Sequence, residues 1–243
     1  ARNTVSGNSS HAEGDGNTVS GKYAHAEGLN NTASGDGSHA EGGKSKATGL
    51  YSHAEGESTA SGINSHSEGI YTKAVGDYSH IEGLNNAQAE GAVGIASHVE
   101  GANGTAKGNY SHVEGLSNKT GSSASGAHAE GEATEANAKY AHTEGWHTTT
   151  SEMASHVQGK YNATTSGYAH VVGNGTSDSD RKDAHRLDWN GNAWFAGDVS
   201  VGTSSKKLAT EEFVNETVAS NCPIKKGSGE NTAILGTDNA AST

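Results

Sequence analysis

The sequence predicts an all-β fold, a parallel β-solenoid built from coils of about fourteen residues. A motif of the form Ser/Ala-His-x-Glu-Gly recurs twelve times, and eight of its eleven intervals are fourteen residues long. A fixed internal period is typical of repeat architectures. Glycine accounts for 35 of the 243 residues, and only 31% of the chain is apolar. A compact globular core normally needs nearer half, so we expect thin coils filled with small side chains.

The motif supplies the residues of the candidate site. Its twelve histidines are His11, His25, His39, His53, His66, His80, His98, His112, His128, His142, His156 and His170. Ten copies carry glutamate two residues later, and the last two carry Gln158 and Val172 instead. The glutamates are Glu13, Glu27, Glu41, Glu55, Glu68, Glu82, Glu100, Glu114, Glu130 and Glu144. We expect these side chains to form a structural ladder with one rung in each coil.

A weaker half-repeat lies between successive motif copies, as in the five residues from Asn17 to Gly21. Each coil is therefore predicted to hold two five-residue strands, each closed by a glycine, because glycine accepts positive φ at a corner. Side chains alternate along a strand, so Ser, Ala and Gly share one face of the motif while His and Glu share the other. So short a coil encloses little room. We therefore predict Ser, Ala and Gly inside, and His and Glu outside.

Such a coil has a thin core. Ala and Ser bury little area at about 25 cal/mol per Å², so an isolated solenoid of this width is expected to be marginally stable. Association with further copies of the same chain is the expected remedy. Twelve coils at roughly 4.8 Å each predict a rod of about 57 Å.

Composition and motifs exclude several function classes. The net charge of -12, without clustered Lys or Arg, argues against nucleic-acid binding. No apolar run is long enough to insert in a membrane. No signal peptide opens the chain, which starts in mid-repeat and is therefore expected to be a fragment. Cys222 is the only cysteine, so no intrachain disulfide is expected. No common catalytic or phosphate-binding motif occurs; we expect no enzyme, no catalytic residue and no cofactor.

The repeat resembles the head repeats of YadA-like trimeric adhesins, whose motif reads Asn-Ser-Val-Ala-Ile-Gly. The resemblance covers residues 1–173 and implies a left-handed parallel β-roll that assembles as a homotrimer. Where the family has Val and Ile, this chain has His and Glu, as in the segment from Ser79 to Gly83. The resemblance thus implies polar ladders near the threefold axis. Residues 231–243 contain a closer match, from Asn231 to Gly236, and look like the start of a further roll repeat.

The residues between the two rolls change character. Residues 174–203 are predicted to be a connector with a β-hairpin, because Asn190-Gly191 lies among the densest aromatic residues of the chain. This connector is similar to segments near the ends of tail-fibre proteins from phages and prophages of Gram-positive bacteria. Residues 204–230 are predicted to hold a short helix and a linker, with Thr210 as the N-cap.

Metal binding and catalysis are the two alternative roles for the ladder. Metal binding along the axis, for example by His11, His25, His39 and His53, ranks below structural hydrogen bonding, because a uniform ladder offers no closed set of ligands. Catalysis ranks last, since no third group orients the pair.

Six tyrosines lie two residues before a motif histidine, and an exposed aromatic row is able to bind glycans, although covering a seam between coils or subunits is commoner. Trp146 and His147 are a candidate surface contact, with a tolerated turn insertion as the alternative.

Taken together, the patterns predict a structural fibre segment. The first interpretation is a phage or prophage tail fibre that forms a rigid shaft and contributes to host-surface recognition. The alternative is the head of a bacterial surface adhesin, or an extracellular filament. The expected partners are further copies of the chain and a glycan or protein of the host-cell surface. The expected location is extracellular or on the virion.

We also expect nearby glutamates to raise the histidine pKa values, making the fibre more heat-stable at mildly acidic than at alkaline pH.

Overall fold

The computed structural model describes residues 2–86, 91–163 and 165–197, together with the backbone of Ile224–Lys226 and Ala233–Leu235. Two compact units divide the chain at Ala196 and Gly197. The first unit is a parallel β-solenoid with coils of about fourteen residues, which confirms the predicted fold class. Strands and turns make up the described residues, which contain no helix, and hence no helix able to cross a membrane.

The strands alternate between motif strands, which begin at the motif histidine, and shorter second strands. In chain order they are β1 (Thr4–Val5), β2 (His11–Asp15), β3 (Thr18–Val19), β4 (His25–Leu29), β5 (Thr32–Ala33), β6 (His39–Gly43), β7 (Lys46–Ala47), β8 (His53–Ala60), β9 (His66–Ala74), β10 (His80–Ile81), β11 (Gly91–Ala92), β12 (His98–Val99), β13 (Thr105–Ala106), β14 (His112–Leu116), β15 (Lys119–Thr120), β16 (His128–Glu132), β17 (Glu135–Ala136), β18 (His142–Thr143), β19 (Thr149–Thr150), β20 (His156–Lys160), β21 (Tyr168–Asn174), β22 (Asp183–Asp188), β23 (Ala193–Phe195), β24 (Ile224–Lys226) and β25 (Ala233–Leu235).

Each motif strand pairs with the next motif strand, and each second strand with the next second strand. In β2 and β4, for example, His11 lies opposite His25. The histidines stay in register even across the longest interval between motif copies, where His80 still lies opposite His98. Insertions therefore leave the histidine column unbroken.

The second strands are shorter than predicted. Motif strands such as β2 and β4 have the expected five residues, but most second strands have two, as in Thr18–Val19. The coil must reverse direction at two corners within about fourteen residues, and those corners take up the remaining positions. Among the strands of the described residues, only β8 and β9 run through both parts of a coil without a break.

The interior holds the small residues that were predicted, together with larger ones that were not. Ala26, Ala40 and Ala54 are fully buried, but so are Ile81 and Val99. The larger side chains fit because the facing positions are small. A Cβ added to Gly91 would lie 3.2 Å from Ile81 Cδ1, and one added to Gly104 would lie 2.7 Å from Val99 Cγ1. Packing is therefore achieved by complementary sizes across the coil.

Buried asparagines form an internal ladder that the sequence analysis missed. The Asn31 backbone N–H donates to Asn17 Oδ1 at 2.8 Å, and the Ser45 N–H donates to Asn31 Oδ1 at 2.8 Å. The Asn31 side-chain amide also donates to the Gly42 carbonyl at 3.0 Å. These bonds satisfy backbone groups at the corner where the strand ladder is interrupted. The sequence could have indicated this ladder, because Asn17 lies two residues before the buried Val19 and therefore on the same face of the strand.

The glycines serve two different purposes, and only one was predicted. Motif glycines such as Gly28 adopt positive φ, in this case 104°. Most of them are exposed, contrary to the prediction that they lie inside, because this conformation breaks the side-chain alternation of the strand. Half-repeat glycines such as Gly49 are buried and have no positive φ. A Cβ at Gly49 would lie 2.0 Å from the Gly62 carbonyl oxygen, so close coil-to-coil contact requires glycine there.

The solenoid ends in antiparallel pairing. Strand β21 continues the parallel stack and also pairs antiparallel with β22, which in turn pairs antiparallel with β23. The Arg186 guanidinium lies over two rings, 4.1 Å from the Trp194 centroid and 5.1 Å from that of Tyr168. In the second unit, β24 and β25 form an antiparallel pair, so the strand within the predicted roll repeat of 231–243 is not paired in parallel. The predicted helix near Thr210 lies outside the described residues.

Candidate functional site

The candidate site is the outer face of the motif strands, where the twelve motif histidines form one column. From His25 to His156 the rings stack face to face, with centroids 4.7–4.9 Å apart and interplanar angles of 1–11°. At the two ends of the column, His11 and His170 are tilted relative to their neighbours. The in-register pairing of the strands fixes this stack, because each histidine begins its strand at the same place in the coil.

The motif glutamates form a second column beside the histidines. His53 Nε2 lies 3.4 Å from Glu41 Oε1 of the preceding coil and 3.9 Å from Glu55 Oε2 of its own strand. His156 Nε2 lies 3.2 Å from Glu144 Oε1. Side chains of both columns are about one-third exposed over most of their length. The predicted ladder is therefore an open face and not a pocket.

The imidazole nitrogens of the column are not fully used within the chain. Nε2 of nine motif histidines is shielded from solvent, yet within the described residues it makes no hydrogen bond of good geometry. These are His25, His39, His53, His66, His80, His98, His112, His128 and His142. Shielded polar atoms are normally hydrogen-bonded. This face consequently has unused hydrogen-bonding capacity at nearly every coil.

The histidine pKa values shift in the direction opposite to the one predicted. Burial, reinforced by the neighbouring His112 and His80, lowers the pKa of His98 below its usual 6.5 despite the opposing effect of nearby glutamates. The same direction, again with burial as the main cause, holds for His39, His66, His128, His142 and His170. Like charges one coil apart repel each other, and the stack is partly desolvated. The expectation of raised histidine pKa values was wrong for these residues.

Glutamates within the same face also repel one another and share protons. The side-chain hydrogen bond with Glu82, together with burial and the charge of Glu55, raises the pKa of Glu68 to about 7. The bond with Glu68 lowers the pKa of Glu82. Burial, together with bonds to neighbouring glutamates, also raises the pKa values of Glu41 and Glu130. Raised and lowered carboxyl pKa values thus occur side by side in this column, as at Glu68 and Glu82.

The face has the donor atoms for a divalent metal ion. In the group of His53, Glu55 and His66, one ligand atom from each residue lies within 4.8 Å of the others, and the predicted alternative ligands His11 and His25 form a similar group with Glu13. Zinc is commonly held by histidine nitrogen and carboxylate oxygen. The same group recurs along the face, so no single coil is distinguished as a metal centre.

The ladder extends beyond the motif. Gln158 Nε2 lies 3.3 Å from His170 Nε2, so the first substituted rung keeps a polar contact. His185 on β22 lies 5.5 Å from His170 between ring centroids, and the Phe195 ring lies 4.6 Å beyond His185. Sequence reasoning missed His185, which has no motif around it. These two rings cover the last coil of the histidine column.

Trp146 and His147 occupy regular coil positions and are not an insertion. Trp146 bridges to Glu132 and Lys160 in register. The His147 ring stacks on that of Tyr161 at 4.6 Å, and the Arg181 guanidinium donates to the His147 carbonyl at 2.9 Å. The turn-insertion alternative is therefore wrong. The pair packs within a local cluster, while Trp146 keeps 43% of its surface exposed.

The tyrosines that precede motif histidines lie along one corner of the solenoid. Five of them are 62–74% exposed, so they cover no seam between coils fully: Tyr23, Tyr51, Tyr78, Tyr110 and Tyr140. The sixth, Tyr168, differs because it lies in β21 under the Arg186 guanidinium. The exposed row therefore comprises five tyrosines.

Compared with known protein families and with curated proteins, the chain matches neither a family nor an individual protein.

Proposed function

We propose that this chain is a structural segment of a phage or prophage tail fibre, a rigid homotrimeric shaft that lies outside the cell and contributes to contact with the host surface. The observation that carries the proposal is the continuous parallel pairing of coil with coil from β1 to β21. Each coil is hydrogen-bonded to both neighbours, so the whole stack resists bending as a unit. A rigid spacer needs this property and no reaction centre.

The His/Glu face supports assembly into a trimer. Within the described part of the chain, nine of its shielded Nε2 atoms make no hydrogen bond of good geometry, and polar groups of a partner subunit packed on this face would supply partners. Exposed apolar side chains follow the motif glycines beside this face: Leu29, Ile70, Leu84 and Leu116. Ile70, Leu84 and Leu116 belong to one bridged column along the solenoid. A polar ladder flanked by an apolar row is the composition of a specific subunit interface.

The same face gives no reason to assign a reaction. His and Glu recur with the same geometry at nearly every coil, so no position combines a nucleophile, a base and a separate orienting group. We therefore propose a structural role for the ladder. A surface adhesin built from the same roll is the competing outcome of the experiment below, and the connector that resembles tail-fibre segments favours the fibre.

Immunogold electron microscopy tests the proposal. Antibodies against the purified chain would be applied to particles released after prophage induction of the source bacterium, and to uninduced cells as a matched control. The proposal predicts gold at the tail tips of released particles and none on uninduced cells. Label on the surface of uninduced cells would replace the fibre with the adhesin. Label on neither sample would overturn both.

A further inference from the structure

The corner turn before each motif histidine carries tyrosine in every second coil. The exposed tyrosines named above alternate with small residues at the same turn position. In the intervening coils that position is occupied by Gly37, Asn64, Ala96 and Gly126. Backbone hydrogen bonds connect each of these turns to the next at 2.7–3.0 Å, as in Gly37 N–H to the Lys22 carbonyl and Tyr51 N–H to the Asp36 carbonyl. The alternation is thus a property of adjacent coils.

The five tyrosines share one conformation. Their φ values are 55–59°, so the same left-handed turn presents each side chain in the same direction. A Cβ added to Gly37 would lie 2.5 Å from Tyr51 Cδ1, and one added to Gly126 would lie 2.9 Å from Tyr140 Cδ1. Each of these two rings therefore lies over the small residue of the preceding coil. The opposite face of the ring is left to solvent, as the exposure of 62–74% requires.

The spacing of the row is constant in space but not in sequence. Consecutive tyrosines are 28, 27, 32 and 30 residues apart, yet they are always two coils apart. Two coils correspond to about 9.6 Å, consistent with histidine centroids 4.7–4.9 Å apart along the same stack. Coils with inserted residues keep the period. A feature retained across irregular coils in this way indicates that the distance between rings matters.

We propose that the tyrosine row binds an extended β-1,4-linked polysaccharide, with one ring stacking on every second sugar. In such a chain alternate sugars present the same face, and one disaccharide is close in length to two coils. Tyrosine suits this contact, because its ring offers an apolar face and its hydroxyl a polar edge. The inference rests on the proposed role in host contact and specifies the ligand of that role.

Polar side chains along the same corner supply hydrogen-bonding groups for sugar hydroxyls. The turn residues next to the row include Lys22, Asp36, Asp77, Asn109 and Lys139. Asp36 Oδ1 already accepts from the Lys22 N–H at 2.9 Å, and Asp77 Oδ1 accepts from the Ile63 N–H at 2.8 Å, so these carboxylates are held in place. The row spans about 38 Å. That shape fits a polymer and not a single sugar.

Isothermal titration calorimetry on the full chain tests the proposal, with chitobiose, chitotetraose, chitohexaose and cellohexaose as probes. Affinity is expected to rise with each added disaccharide, because each engages one more ring. Tyr78→Ala should weaken hexaose binding about two- to tenfold, and Tyr78→Phe should retain it. Replacing Tyr51, Tyr78 and Tyr110 together by alanine should abolish it. Alanine is accommodated at this turn, since Ala96 occupies it with φ of 51°.

Tyr71→Ala is the matched control. Tyr71 has the same backbone conformation, with φ of 56°, and is 50% exposed, but it lies at the other corner of the coil. Its replacement should leave binding unchanged. Three results would overturn the inference: no binding of either hexaose, equal binding of α-linked dextran, or unchanged binding by the triple variant. Loss of the trimeric mass in the triple variant would identify the row as a subunit seam. If the oligosaccharides do not bind but the antibodies still label the tail tips, this inference fails and the proposed function is unaffected.

Discussion

Replacing Ile81 by alanine should destabilise the solenoid more than almost any other single truncation. Ile81 is fully buried and packs in a cluster that includes Ala74, Ala92 and Val99. Alanine occupies the equivalent position in other coils, for example Ala26. The variant therefore remains compatible with the fold, and its cost reports the packing of this coil.

The magnitude follows from the carbons that are lost and the space they leave. Isoleucine to alanine removes three buried carbons, worth about 0.8 kcal/mol each in transfer free energy. The walls of the site are backbone ladders to the coils on either side, and they cannot close inward without breaking hydrogen bonds. A cavity term therefore adds to the transfer term. We expect a total loss of about 3–4 kcal/mol in the free energy of unfolding.

Urea unfolding monitored by circular dichroism, at one fixed protomer concentration, measures this loss. Ile95→Ala provides the control, because Ile95 is 44% exposed in a corner turn and should change stability by less than about 0.5 kcal/mol. A loss below about 1 kcal/mol for Ile81→Ala, or equal losses in the two variants, would refute the packing described for the interior.

Three further predictions concern the ladder and the glycines. Glu68 has a folded pKa of about 7, so its contribution to stability is complete below its unfolded pKa and is lost as pH rises through 7. Glu68→Gln should thus melt at the wild-type temperature at pH 4 and above it at pH 8, and a constant difference between the two pH values would contradict this. His98 has a lowered pKa, so its contribution is lost as pH falls below its unfolded value of 6.5. The melting temperature of His98→Asn, relative to that of the wild type, should therefore rise as pH falls from 7.5 to 5.5. The absence of such a rise would mean that His98 is not held neutral. Gly49→Ala should cost about 3 kcal/mol by overpacking, while Gly43→Ala, where a Cβ meets nothing within 4 Å, should cost less than about 0.5 kcal/mol; similar urea midpoints for both would argue against the close coil contact.

The period of the motif was sufficient to predict the solenoid and its outer face. His11 and Glu13 alternate with Ala12, and fourteen residues leave room for only one strand pair in each coil. Strand parity predicted the wrong orientation for the motif glycines, because their positive φ turns the chain away from the regular alternation of an extended strand. It also gave no measure of interior volume, so Ile81 and Val99 inside the coil were unexpected.

The electrostatics of the ladder were harder to predict from sequence. Counting His against Glu suggested mutual stabilisation of charge. In the structure, His98 lies between two other imidazoles, and burial adds to their repulsion. The outcome depends on distances of less than 5 Å between coils, which the order of residues does not give. The tyrosines that precede motif histidines are visible in the sequence, but their alternation with small residues acquires meaning only when coils are stacked in register.

Sedimentation equilibrium of the full chain near neutral pH measures the number of chains in the proposed shaft. We expect a single species with three times the chain mass of 24.6 kDa, because we propose that the His/Glu face and the apolar row beside it pack against partner subunits. Folding of the sample would be verified by its β-type circular dichroism. A folded species of 24.6 kDa that remains monomeric at every concentration would contradict the trimeric shaft.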